Sequence, residues 1–133
     1  MIRVVAALIV RGPSHDEILI CQRTRHQAKP LKWEFPGGKI ETGEQPRDAL
    51  RRELDEELGI HANVGDEVER ITHTYEDGGT VELRFYVVRS FEREIENRIF
   101  RDVQWVHRSK LPEYDFLEAD APLVRQLAEN KLV

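Results

Sequence analysis

The sequence predicts an α+β fold of the α/β/α sandwich kind, with a mixed β-sheet held between helices. Three observations predict it. Apolar, β-branched runs recur in the order strand, strand, helix, strand, strand, strand, helix. A central charged segment carries leucines at helical spacing. A period-two segment after residue 79 follows an Asp-Gly-Gly turn. The 133 residues are read as one domain spanning 1–133, long enough to bury roughly two-thirds of the surface an unfolded chain exposes.

Ile2 to Val10 reads as a strand buried on both faces, because it is apolar almost without interruption. Gly12, Pro13 and Ser14 mark a turn, so Glu17 to Arg23 is expected to return as the second strand of a hairpin. A polar loop covers Thr24 to Lys32. Trp33 to Phe35 is a short apolar piece closed by Pro36-Gly37-Gly38, a tight glycine turn. A helix starts at Pro46, which suits a first turn, and stops at Gly59. Glu67 to Tyr75 and Thr80 to Val88 form a hairpin, the second strand alternating Val81, Leu83, Phe85, Val87 against Glu82, Arg84, Tyr86. Phe91 to Arg101 is a charged loop, and Val103 to Val106 a short strand. A last helix runs from Asp120, read as its N-cap, to Lys131, with Leu123, Val124, Leu127 and Ala128 as its stripe.

Composition excludes several classes. With 40% apolar and 34% charged residues, the chain is too apolar for disorder and too charged for a membrane protein. Its longest uncharged apolar run, Val4 to Val10, falls far short of the ~20 residues that span a bilayer. The single cysteine, Cys21, excludes an internal disulfide and a two-cysteine zinc site. No secretory leader is visible, so a cytoplasmic setting is expected, with no membrane partner.

The net charge is −5, and it is concentrated. Between Gly38 and Ile60 stand Glu41, Glu44, Asp48, Glu53, Asp55, Glu56 and Glu57 against Lys39, Arg47, Arg51 and Arg52. Stable docking on nucleic-acid phosphates is disfavoured by such a face, while cations are favoured. In the central helix Leu50, Leu54 and Leu58 make a core stripe. Glu53, Glu56 and Glu57 share one arc of about 100° beside it. Like charges at these spacings repel by about 0.2–0.5 kcal/mol per pair, and the helix C-terminus disfavours anions further. A solvated acidic face would tolerate this. A divalent-cation site would require it, since Mg²⁺ takes oxygen ligands and leaves part of its shell to substrate phosphates. The glycines just before the helix let backbone approach a ligand closely.

The spacing Gly38-x5-Glu44-x7-Arg52-Glu53-Leu54-x-Glu56-Glu57-x-Gly59-Ile60 resembles the Nudix box at every fixed position. Trp33-Glu34-Phe35-Pro36-Gly37-Gly38-Lys39-Ile40-Glu41 and the Ala119-Asp120-Ala121-Pro122-Leu123 segment are similar to the MutT-like branch. The resemblance implies the Nudix α/β/α fold and hydrolysis of a nucleoside triphosphate to monophosphate and pyrophosphate. It puts 8-oxo-dGTP first as substrate, with (d)CTP or another triphosphate next and RNA 5′-pyrophosphate hydrolysis third. A nucleotide-sensing domain without turnover is the alternative of a different class. The oligomeric state is left open.

The same resemblance implies the site. Gly37, Glu53, Glu56 and Glu57, joined by Glu96 from the later loop, are the expected ligands of Mg²⁺ or Mn²⁺. Glu53 is the first choice of general base and Glu56 the second. Arg52 orients a carboxylate, and Glu44 braces the box or complements the helix dipole. Arg23, Lys39 and Asp120 are expected to contact the nucleotide, and Phe35 and Tyr75 to stack on its base. Trp33, His61, His73 and Trp105 are read as packing or surface residues.

Overall fold

The computed structural model describes residues 1–133. Its strands are β1 Ile2–Arg11, β2 Glu17–Gln22, β3 Trp33–Glu34, β4 Gly37–Lys39, β5 His61–Thr74, β6 Thr80–Glu92 and β7 Asp102–His107; its helices are α1 Pro46–Leu58 and α2 Ala121–Ala128. Two short 3-10 turns, Arg108–Glu113 and Glu118–Asp120, precede α2. The sheet is mixed, as expected. β1 runs parallel to β6, and every other pairing is antiparallel.

β1 is the strand around which everything else is arranged. It pairs with β6 from Ile2–Val81 to Ile9–Val88 on one side. On the other side it pairs first with β4, through Val4 to Ala6, and then with β2, only at Val10–Ile18 and Arg11–Glu17. The β1–β2 hairpin expected from the sequence is therefore confined to its tip. β2 instead spends its whole length on β7 and its end on β3. A strand apolar on both faces seeks the sheet centre, and the parallel partner that puts β1 there comes from far along the chain.

Alternate residues of β1 feed two cores. Val5, Ala7 and Ile9 pack under α1 with Leu50, Leu54, Leu58, Tyr86 and Val88. Ala6, Leu8 and Val10 pack toward α2 with Phe85, Leu123, Val124 and Leu127. The helices thus lie on opposite faces of the sheet, which makes the predicted sandwich. The leucine stripe of α1 is wholly buried, worth about 1.5–3 kcal/mol for each leucine removed from water.

Four local expectations change. β5 begins at His61 rather than Glu67 and carries register shifts that the alternation did not show. Pro36-Gly37-Gly38 is no tight turn: Gly37 and Gly38 are strand residues opposite Ala6 and Val5. α2 covers only Ala121–Ala128. Asp120 does not cap it: its backbone is helical rather than extended, and its side chain makes no cap hydrogen bond. Burial of that carboxyl at 4% exposure turns it inward, away from the free amides it was expected to serve.

Candidate active site

α1 is entered through Gln45 and Pro46 and left through Gly59, whose φ of 67° and N–H bond to the Asp55 carbonyl close it. These ends fix the rotation of the helix, and the buried leucines fix the face it turns to the sheet. Glu53 and Glu57 follow on the edge facing β4. Glu56 does not follow them. Its side chain is 60% exposed and reaches only Arg52, at 3.4 Å. The single arc of three carboxylates therefore splits into a sheltered pair and an outer member. No three His, Cys, Asp or Glu side chains stand together as a ready-made metal cage.

The pair is strained electrostatically. Glu57 is buried, and burial, a shared hydrogen bond with Glu53 and the nearby charges of Glu53 and Glu34 push its carboxyl up to about 10. The polar backbone of Gly37 offsets that rise in part. Beside it, a Cβ on Gly38 would overlap the Glu53 carboxyl, and one on Gly37 would overlap the Val5 carbonyl. Both glycines are needed because backbone and carboxylate approach too closely for any side chain. The donors are carboxylate oxygens, the buried Glu57 lying within the field of the Glu53 charge. Such a set fits a hard divalent cation that completes its shell from a phosphate.

Arg52 holds the outer edge. Its Nε and Nη2 donate to the two Glu44 oxygens at 2.7 and 3.0 Å, and Nη1 donates to Glu53 at 3.0 Å. Nη2 also reaches the Lys39 carbonyl at 3.2 Å. Glu44 in turn accepts from the Glu41 amide at 3.0 Å. These bonds hold the Glu44 carboxyl down at about 2. Glu44 stands just before the helix, which begins at Pro46, and these bonds tie it to Arg52 within the helix.

A cavity of about 220 Å³ opens next to the pair, across the start of β1 and β6. Arg23, Glu34, Phe35, Lys39, Tyr75 and Asp120 line it, so all five expected substrate-binding residues meet there. Arg23 donates to Glu34 at 2.7 Å and to the Ala28 carbonyl at 2.8 Å. Phe35 is buried and stacks on Phe116 at 5.2 Å. The Tyr75 ring lies under the Lys29 ammonium at 4.2 Å and against the edge of His73 at 4.6 Å. Burial and the charge of Glu34 push Asp120 up to about 8. A neutral carboxyl of this kind can donate a hydrogen bond as well as accept one.

Residues 1–127 match the family described as NUDIX domain. The chain belongs to that family. Among its relatives is a putative 8-oxo-dGTP diphosphatase 2 of Mycobacterium tuberculosis, 39% identical over 96% of this chain and 88% of the relative. A CTP pyrophosphohydrolase of Escherichia coli is 38% identical over 93% and 89%. A solved MutT structure, from work on Aliivibrio salmonicida and Vibrio cholerae, superposes with a TM-score of 0.77 at 33% identity, covering 97% of this chain and 98% of that one.

The Nudix segment is extended by the loop after β6. The amides of Glu96 and Arg98 donate to the carbonyls of Leu58 and Glu57, which sews that loop to the end of α1. The Glu96 carboxylate itself is 69% exposed and pairs with Arg98 at 3.6 Å. Sequence reasoning missed Glu34, whose charge touches Asp120, Glu57 and Cys21. Its signal was an acid between two core aromatics in Trp33-Glu34-Phe35, on a strand with an arginine at the end of its neighbour. His73 packs against the Tyr75 ring; its buried Nε2 makes no hydrogen bond and lies 3.8 Å from a Glu118 oxygen.

Proposed function

We propose that this Nudix domain is a nucleoside triphosphate pyrophosphohydrolase that directs water onto a phosphoanhydride and releases a nucleoside monophosphate and pyrophosphate. The observation that carries the reading is the crowded Glu53–Glu57 pair abutting a cavity of nucleobase size. A bound Mg²⁺ or Mn²⁺ would neutralise the phosphates and acidify a water. Glu53, Glu57 and the outer Glu56 would hold it, with Gly37 and Glu96 as further contributors. Glu53 is the proposed base, because Arg52 fixes its orientation and Glu44 fixes Arg52. Arg23 and Lys39 counter phosphate charge, Phe35 and Tyr75 flank the base, and Asp120 reads its edge.

The leading substrate is 8-oxo-dGTP, which suits a role in clearing oxidised nucleotides, supported by the relative from Mycobacterium tuberculosis. A (d)CTP activity is the second reading, favoured by the relative from Escherichia coli. Free nucleotides in the cytoplasm are the proposed partners. No helix is long and apolar enough to cross a membrane, and the acidic balance disfavours stable nucleic-acid binding. Pyrophosphate release from a panel of ordinary and oxidised triphosphates, with Mg²⁺, with Mn²⁺ and in excess chelator, tests this. Turnover only with metal, highest on 8-oxo-dGTP or dCTP, is expected; full turnover in chelator, or none on any nucleotide, sinks the reading.

A further inference from the structure

A second cavity lies at the opposite end of the β1–β6 pair. The nucleotide-sized cavity touches Val4 to Ala6 of β1 and Val81 and Leu83 of β6. The second, of about 530 Å³, touches Val10 and Arg11 of β1 and Arg89 and Phe91 of β6. It therefore sits outside the carboxyl ends of the two parallel strands, where β1 leaves β6 and turns to pair with β2.

The lining is built rather than incidental. On β6, Ser90 lies opposite Asn63 and Val88 opposite Val64, so Arg89 is the extra residue of a β-bulge. The extra residue reverses the alternation, and Phe91 joins Val88 on the α1 side. Bulges of this kind re-aim side chains and cluster beside functional sites. Arg89 has no carboxylate within 4 Å, unlike most arginines here. The Arg11 guanidinium lies over the Trp105 ring at 4.3 Å and is tethered through Nε to Glu17 at 2.7 Å, leaving both Nη groups able to donate. His15 adds an imidazole, and Glu94 is the one acid on the wall. The wall thus gathers Arg11, His15 and Arg89 with the rings of Phe91 and Trp105 against a single acid, Glu94, and the free Arg89 side chain reaches back along the bulge toward Gly65.

We propose that this crevice is a second binding site, for a small phosphate-bearing molecule. Guanidinium forks match phosphate oxygens, and Phe91 and Trp105 supply apolar walls for an attached ring. The chemistry is shared by nucleotides and by free pyrophosphate. It stands apart from the Glu53–Glu57 pair and does not depend on turnover there.

The test is nuclear magnetic resonance of the two tryptophan indoles in excess chelator, titrating AMP and, separately, inorganic pyrophosphate. Trp105 lines the crevice, and Trp33 is a buried control on β3. The Trp105 indole is expected to shift saturably. Arg89→Ala should weaken that titration by about tenfold, a charge-assisted contact's share, and Arg89→Lys should restore part of it, with Trp33 unaltered by either variant. Arg89 is exposed, so both variants should fold, which thermal melting checks. A response to AMP alone makes the ligand a nucleotide, and a response to both or to pyrophosphate alone makes phosphate sufficient. No Trp105 response to either, or one that Arg89→Ala leaves unchanged, overturns the proposal.

Discussion

Arg52 grips Glu44 through two hydrogen bonds of 2.7 and 3.0 Å and spends its remaining nitrogen on Glu53. A residue before the helix thus sets the angle of a carboxylate within it. Glu44→Gln keeps the shape but loses the charge that anchors Arg52. It is expected to lower kcat/KM about 10- to 100-fold, as loss of an outer supporting partner does, with the melting temperature nearly unchanged. Steady-state pyrophosphate release and a thermal melt check it. An unaltered kcat/KM would return Glu44 to a helix-end role.

The two adjacent glycines should fail differently. Gly37→Ala forces a methyl into the Val5 backbone, which cannot yield without breaking the β1–β4 ladder. A loss of about 2–4 kcal/mol is expected in denaturant unfolding. Gly38→Ala meets the Glu53 carboxyl, the end of a flexible side chain. Stability should fall little while activity drops about tenfold or more. Equal losses of stability in both variants would contradict this.

Asp120 holds its proton to about pH 8, against an ordinary value of 3.8. The folded state therefore binds that proton more tightly than the unfolded chain. Its favourable contribution is full below pH 3.8 and is lost as pH rises toward 8. Asp120→Asn removes this slope. Its melting temperature should match wild type near pH 4 and exceed it by about 4 °C or more at pH 8.5. The same variant should change the ratio of 8-oxo-dGTP to dCTP turnover at least about fivefold, since a carboxyl whose proton can sit on either oxygen is replaced by an amide with one fixed donor end and one fixed acceptor end. An unchanged ratio would remove Asp120 from base recognition.

Arg108 is 2% exposed and lacks a carboxylate partner. It donates instead to the carbonyls of Leu127 at 2.8 Å, Lys131 at 2.7 Å and Val133, tying the end of the chain beneath the Arg108–Glu113 turn. Arg108→Met fills similar space but strands those carbonyls. A loss of about 2–4 kcal/mol is expected, with kcat/KM at a permissive temperature within about twofold of wild type. Denaturant titration and kinetics on the same preparation check both halves.

The helix α1, its ends at Pro46 and Gly59 and its leucine stripe were legible because their signals are local. So was the β5–β6 hairpin, whose turn and alternation lie within one stretch of chain. The partner of β1 was not, because nothing in Ile2 to Val10 distinguishes a parallel neighbour from a hairpin one. Glu53 and Glu57 were readable from spacing, yet the separation of Glu56 from them depends on the packing of α1 against β4. Asp120 looked like a cap because caps and buried acids share one residue type. Only its surroundings tell them apart.

The pairing of β1 with β6 has a consequence during synthesis. β1 is synthesised well before β6, yet the ladder partner of Ile2 is Val81 and the last rung is Ile9–Val88. At roughly 5–20 residues per second, the nascent β1 waits several seconds with its β6 edge unpaired. α1 can form meanwhile from contacts of its own, but it has no finished sheet to lie on. The interval ends abruptly when β6 clears the exit tunnel and the centre of the sheet closes. Codons that slow translation before residue 88 would lengthen that exposure and lower the soluble yield without altering the finished molecule.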